Sequence, residues 1–358
     1  MGSWQTINGT SMSAPYFSGS FALYLKAMRD DTQQQKQTPA YMLEQFQNHA
    51  SKVPSWNFKD VYLSPFVQSA GLVQVHDAIH QKTHVTPATI SFNDTANLVN
   101  TRTVTITNNG DFTVEYDIVN HRSESILPYV RDSYVFTKQI QYINNMTAHI
   151  EFPYEAIRLL PGQYIDVNLT ITPPDADPSL HLMYGGFILF KDRSANKKDL
   201  TVPYIGIVGD QRELPVFAPN LPAVAGSDGN FISKAQTIVY DQKDENTAPF
   251  IVFSFATPTK RVNFELYDSV NNKLVGYVLP STDFLPRPTY TEDDPSADQS
   301  SFQWTGTYFN SSIRDPKATP SQVSQGSYYI VISALKLLGD PNNSQDWESW
   351  RSNIIQVI

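Results

Sequence analysis

Apolar residues in the first 83 positions recur at helical spacing, and from Val85 onward they alternate with polar ones. After Ser11, the residues Phe17, Phe21, Leu23 and Leu25, interleaved with Ala14, Ser18, Gly19 and Ala22, carry no charge until Lys26. This predicts a helix buried on most of its sides, with Thr10 or Ser11 capping its first amides and Pro15 tolerated in the opening turn. A second helix is predicted over Thr38 to Asn48, with Pro39 at its first position and Tyr41, Leu43 and Phe46 as its apolar stripe. A third follows Gly71, carrying Leu72, Val73, Val75 and Ile79.

Beyond Val85 the pattern becomes that of strands. Thr103–Thr107 and Val114–Ile118 alternate, and Asn108-Asn109-Gly110-Asp111 between them predicts a hairpin. Tyr164–Ile171, Gly186–Phe190 and Val202–Ile207 add strands at sandwich-like spacing up to about Asp210. A connector containing Pro215, Pro219, Pro222, Gly226 and Gly229 follows. Strands resume at Phe250–Phe255, Val262–Tyr267, Lys273–Leu279 and Tyr328–Ser333, with Asp268–Asn272 as a hairpin turn and Thr282–Ser301 as an exposed loop.

Composition agrees with a largely β chain: of 358 residues 41% are hydrophobic, with 19 Tyr, 20 Phe and 24 Pro. The formal charge of −9 argues against a phosphate-binding surface, so nucleic acid is not an expected partner. No stretch reaches the roughly 20 apolar residues that span a bilayer, and Met1–Thr6 has no signal-peptide pattern. The absence of cysteine excludes a disulfide framework and a thiolate zinc site. Six N-x-S/T sequons stand at Asn8, Asn93, Asn145, Asn168, Asn310 and Asn342, and they lean towards secretion.

Chemistry centres on Gly9-Thr10-Ser11-Met12-Ser13-Ala14-Pro15. A helix start offers free amides and the positive end of the helix dipole to a developing oxyanion, whereas a serine hydroxyl needs a base before it can attack. Read alone, the serine is a helix cap. The heptapeptide, the small-residue helix after it and Ser69-Ala70-Gly71-Leu72-Val73-Gln74-Val75 together resemble subtilisin-like serine proteases, in which Ser11 matches the nucleophile. That family's order is Asp, His, Ser, so the resemblance implies that the other two triad members lie upstream of this sequence and that the fragment alone is inactive.

The runs Thr172-Pro173-Pro174, Tyr184-Gly185-Gly186-Phe187-Ile188, Val202-Pro203-Tyr204-Ile205-Gly206 and Gly209-Asp210 are similar to the fibronectin-III-like domain of large C5a-peptidase-type subtilases. The last segment, with Trp304-Thr305-Gly306, Gly326–Tyr329 and Asp346–Trp350, resembles a further sandwich of fungal relatives. The expectation is therefore mixed: residues 1–83 as the helical C-terminal remnant of a subtilisin-type α/β domain, residues 84–210 as a fibronectin-III-like sandwich and residues 211–358 as a second all-β, Ig-like sandwich. The function implied is that of an extracellular or cell-surface endopeptidase acting on proteins or peptides, with no cofactor or metal in this chain. The alternative is a non-catalytic adhesion protein with a vestigial serine.

Three further features carry less. His76 and His80 stand four apart on a predicted helix, but Asp77 is shorter than the Glu of a zincin motif and no third ligand stands out, which favours a solvated face. Glu292-Asp293-Asp294 with Asp298 matches no calcium-loop spacing and reads as a solvated loop. Trp347 and Trp350 read as core or edge packing rather than a sugar platform.

Overall fold

The computed structural model describes residues 9–29, 38–131, 134, 136–194, 198–287, 299–315 and 317–358. The Asn8 sequon and the acidic run Glu292–Asp294 with Asp298 lie outside them. The chain divides into two compact units, residues 1–128 with 140–210 and residues 129–139 with 211–358. Most of the protein is β-sandwich, with few helices. Among the described residues no helix is long and apolar enough to cross a membrane.

The first unit opens with α1 (Thr10–Arg29), α2 (Pro39–Asn48), α3 (Pro65–Gln68) and α4 (Val75–His80). At the start of α2 the Thr38 hydroxyl accepts from the Tyr41 amide at 3.2 Å, and Pro39 occupies the first turn, as the sequence predicted. The third helix differs. Leu72 is exposed and pairs through backbone bonds with Ser51, so α4 begins only at Val75.

Strands β1 (Thr83–Thr86), β2 (Ile90–Asp94), β3 (Thr101–Asn108), β4 (Val114–Arg122), β5 (Ser125–Tyr129), β6 (Phe136–Ile143), β7 (His149–Glu151), β8 (Ala156–Leu159), β9 (Tyr164–Thr172), β10 (Met183–Asp192) and β11 (Leu200–Ile207) follow. One sheet runs β1-β3-β9-β7 and the facing one β2-β11-β10-β4-β8. The expected hairpin of β3 and β4 does not form, because the two strands lie in different sheets. Asn108 turns the corner: its side-chain amide donates to the carbonyls of Phe112 (2.8 Å) and Leu159 (3.1 Å), and its Oδ1 accepts from the Gly110 amide (3.0 Å). Val104 and Ile106 thus meet Val114, Tyr116 and Ile118 across the core instead of beside them in one sheet.

β10 and β11 are buried nearly throughout. Residues such as Tyr184, Ile188 and Phe190 fill the sandwich, while Phe187 on the other face lies under Tyr62, their rings 5.9 Å apart. A strand covered on both faces explains the unbroken apolar run in the sequence. Tyr184 pairs with Gly206, and Gly186 with Tyr204. Each tyrosine lies across its partner's glycine: a Cβ built on Gly206 would stand 2.2 Å from the Tyr184 Oη, and one on Gly186 2.4 Å from the Tyr204 Oη. Burial pushes the Tyr184 hydroxyl up to about 12. Gly206→Ala is therefore expected to destabilise the first unit by about 3 kcal/mol, the upper range for overpacking, read as a lower unfolding temperature. Gly19→Ala, where a Cβ meets nothing within 4 Å, is the control.

The second unit contains β12 (Ala223–Ala225), β13 (Ile238–Tyr240), β14 (Phe250–Phe253), β15 (Thr259–Asp268), β16 (Leu274–Leu285), β17 (Ser300–Gln303), β18 (Thr307–Tyr308), β19 (Ser321–Gln322), β20 (Gly326–Lys336), β21 (Trp347–Arg351) and β22 (Ile355–Val357). A sheet β12-β14-β17 and a sheet β13-β22-β20-β15-β16 share a core that includes Trp304, Phe264, Ile330 and Ile355. The β15–β16 hairpin forms as expected, with Asp268 Oδ1 accepting from the amides of Val270 and Asn271. Both ends of the loop expected over Thr282–Ser301 are strand instead, since β16 runs on to Leu285 and β17 starts at Ser300, and residues 288–298 of it lie outside the described residues. Trp350 packs against the core, and the Trp347 indole donates to the Pro341 carbonyl at 3.1 Å.

Candidate active site

Ser11 lies in the first turn of α1, exposed to solvent. Thr10 is the first helical residue, so Thr10 and Ser11 stand inside the turn rather than at its cap, and the Met12 amide closes it onto the Gly9 carbonyl at 3.0 Å. Pro15, four residues on, has no N–H to give the Ser11 carbonyl. The Thr10 and Ser11 amides of this turn precede any helical acceptor and carry the positive end of the dipole. Among the described residues, nothing hydrogen-bonds the Ser11 hydroxyl and no histidine touches it.

One face of α1 anchors it. Phe17, Phe21, Tyr24 and Met28 pack on Met42 and Phe46 of α2 and on Ala78 of α4, with the Phe21 and Phe46 rings stacked at 5.2 Å. The opposite side was expected to be buried and is not. Met12, Tyr16 and Leu23 are 46%, 63% and 57% exposed, and Ser11, Ala14, Ser18, Ala22 and Leu25 are open beside them. No described element covers that face, although its lack of charge is that of an interior helix.

The remaining histidines are placed elsewhere. His76 and His80 face each other at 4.3 Å, while Asp77 pairs with Lys198, and no group of residues able to hold a metal occurs among those described. His121 stacks on Tyr62, and His181 is buried. His49 and His84 belong to a network that the sequence reading missed. Gln45 Oε1 lies 2.9 Å from His84 Nδ1, and Gln45 Nε2 reaches His49 Nε2 at 3.0 Å and the Gln81 carbonyl at 2.8 Å. Glu44 receives the far side of His84 (3.1 Å) and the Thr86 hydroxyl (2.8 Å), and Asn48 Oδ1 accepts from the Val85 amide at 2.8 Å. Burial pushes His49 down to about 4 and also lowers His84, against the pull of Glu44. The signal in the sequence was Gln45 and His49 one helical turn apart, followed by His84 at the start of an alternating strand.

Residues 90–205 match the family model of an Fn3-like domain. The chain carries an Fn3-like domain. It is of the type seen in subtilase-related proteins, and the β10–β11 ladder of its larger sheet carries the Tyr184–Gly206 and Gly186–Tyr204 pairs described above. No curated protein sequence matches the chain. Solved structures similar to it include a PapD-like domain of human CEP192 (11% identity, 36% of this chain and 85% of that one, TM-score 0.27). Others are the CsuC–CsuE chaperone–tip subunit complex of Acinetobacter baumannii (11%, 56% and 88%, 0.24) and the Escherichia coli chaperone DraB (11%, 76% and 96%, 0.23).

Proposed function

We propose that the chain is the C-terminal portion of a secreted or cell-surface subtilisin-like serine endopeptidase, with Ser11 as its nucleophile. The observation that carries this reading is the open Ser11 hydroxyl on the first turn of a helix whose outer face, uncharged up to Lys26, has no cover among the described residues. The Fn3-like domain downstream, of a type seen in subtilase-related proteins, supports it. In the proposed reaction Ser11 Oγ attacks a peptide carbonyl while a histidine takes its proton and an aspartate orients that histidine. Both would come from polypeptide outside this sequence. Helix amides at the first turn would face the oxyanion, and water would release the acyl group.

The test is a fluorophosphonate probe applied to the full-length protein. The expected adduct maps to the peptide containing Ser11, and the present chain alone stays unlabelled for want of a base. An adduct on another serine, or none on the full-length protein, removes the reading and leaves a non-catalytic sandwich protein.

A further inference from the structure

Every described sequon presents its asparagine to solvent, but the five differ in what the side-chain amide is doing. Asn93 sits at φ 62° and donates from Nδ2 to the Asn97 carbonyl (3.2 Å), and its sequon hydroxyl, on Thr95, is engaged with Gly209. The Nδ2 of Asn342 donates to Asp340 (3.2 Å). A glycan on either nitrogen competes with a bond that shapes the local turn.

Asn145, Asn168 and Asn310 are free of that conflict. Asn145 lies in the turn between β6 and β7, pinned beside it by Met146, whose side chain packs on the core and whose carbonyl accepts from the Ser125 hydroxyl at 2.6 Å. Asn168 stands on the outer face of β9 opposite Thr103, whose hydroxyl donates to its Oδ1 at 2.8 Å. That bond fixes the carboxamide with its nitrogen unengaged. Asn310 follows Phe309, held by two backbone bonds to Tyr277 (2.7 and 2.8 Å), and precedes Ser312, whose carbonyl accepts from the Ser281 amide. The loop is therefore anchored on both sides of an outward asparagine.

We propose that Asn145, Asn168 and Asn310 are acceptors for N-linked glycans, an assignment that rests on the secreted reading for its natural occurrence. In the transfer, Nδ2 forms a bond to C1 of a lipid-linked oligosaccharide, one amide proton is lost and the lipid pyrophosphate departs. The three sugars would stand on the sandwich turn, on the open face of the β1-β3-β9-β7 sheet and on the second unit.

The experiment secretes this chain from a eukaryotic cell behind a heterologous leader and removes glycans with peptide N-glycosidase in heavy-oxygen water. Heavy aspartate is expected at 145, 168 and 310, and each Asn→Gln variant loses one glycan mass. An unlabelled asparagine among the three overturns that site, because the leader delivers the chain to the transferase wherever it naturally resides. Labelling of the leader-directed chain together with an unglycosylated natural protein upholds the sites and overturns the secreted reading instead.

Discussion

In the full-length protein, Ser11→Ala is expected to lower kcat for peptide hydrolysis by roughly 10⁶-fold, because a triad without its nucleophile retains only substrate binding and oxyanion stabilisation. KM should change little. The substitution is a clean one: the hydroxyl has no hydrogen-bond partner among the described residues, it is exposed, and alanine suits a first helical turn. Unfolding temperature and helix content should therefore match the parent, separating loss of chemistry from loss of fold. An unchanged hydrolysis rate with Ser11→Ala would place the nucleophile elsewhere.

Acid should weaken the first unit through His49. The imidazole is 4% exposed, and burial holds it near 4 in the folded chain against 6.5 in the open, with the neighbouring His84 acting in the same direction. Asp77 and the Thr83 backbone pull the other way without overcoming burial. Unfolded chains take up this proton as pH falls through 6.5, whereas folded ones wait until about 4. The contribution is thus complete above pH 6.5, declines across that window, and reaches a loss of about 3 kcal/mol below it. Hydrogen exchange at the Val85 amide, which Asn48 holds, follows this unit without interference from the second. Carboxylates titrate in the same range, so the comparison is with His49→Gln. The variant should lose the extra acid sensitivity between pH 6.5 and 4, and an equal slope in both proteins would discard the explanation.

The elements legible in the sequence were those with a local signature. Thr38-Pro39 marks the start of α2 through a side-chain cap and a ring that needs no amide partner, and alternation marks β3, β9 and β15. Pairing was less legible. Asn108-Asn109-Gly110 reads equally as a two-residue hairpin turn and as a corner between sheets, and only the bonds from Asn108 to Phe112 and Leu159 decide between them. β18 and β19, two residues each, and β12, β13 and β22, three each, are too short for alternation to register.

At the candidate site, Ser11 and its helix were readable because the motif is contiguous. The exposed outer face of α1 was not, since a pattern of apolar residues says that a helix wants cover and never whether cover is supplied. The Gln45–His49–His84 network escaped for a different reason: Gln45 and His84 are 39 residues apart along the chain and meet only when α2 lies beside β1.

The segment between α2 and α4 acts as a second roof on β10. Tyr62 lies over Phe187, Pro65 Cδ would stand 3.0 Å from a Cβ on Gly185, and the buried carboxylate of Glu124 accepts from Ser55 and Asn57 of the same segment. A gene fragment starting at residue 84 would strip that roof, baring Phe187 and leaving Glu124 without those donors, and one starting at Thr38 would keep the roof but bare Met42 and Phe46 beneath α1, so a piece for crystallisation or display should retain α1 as well.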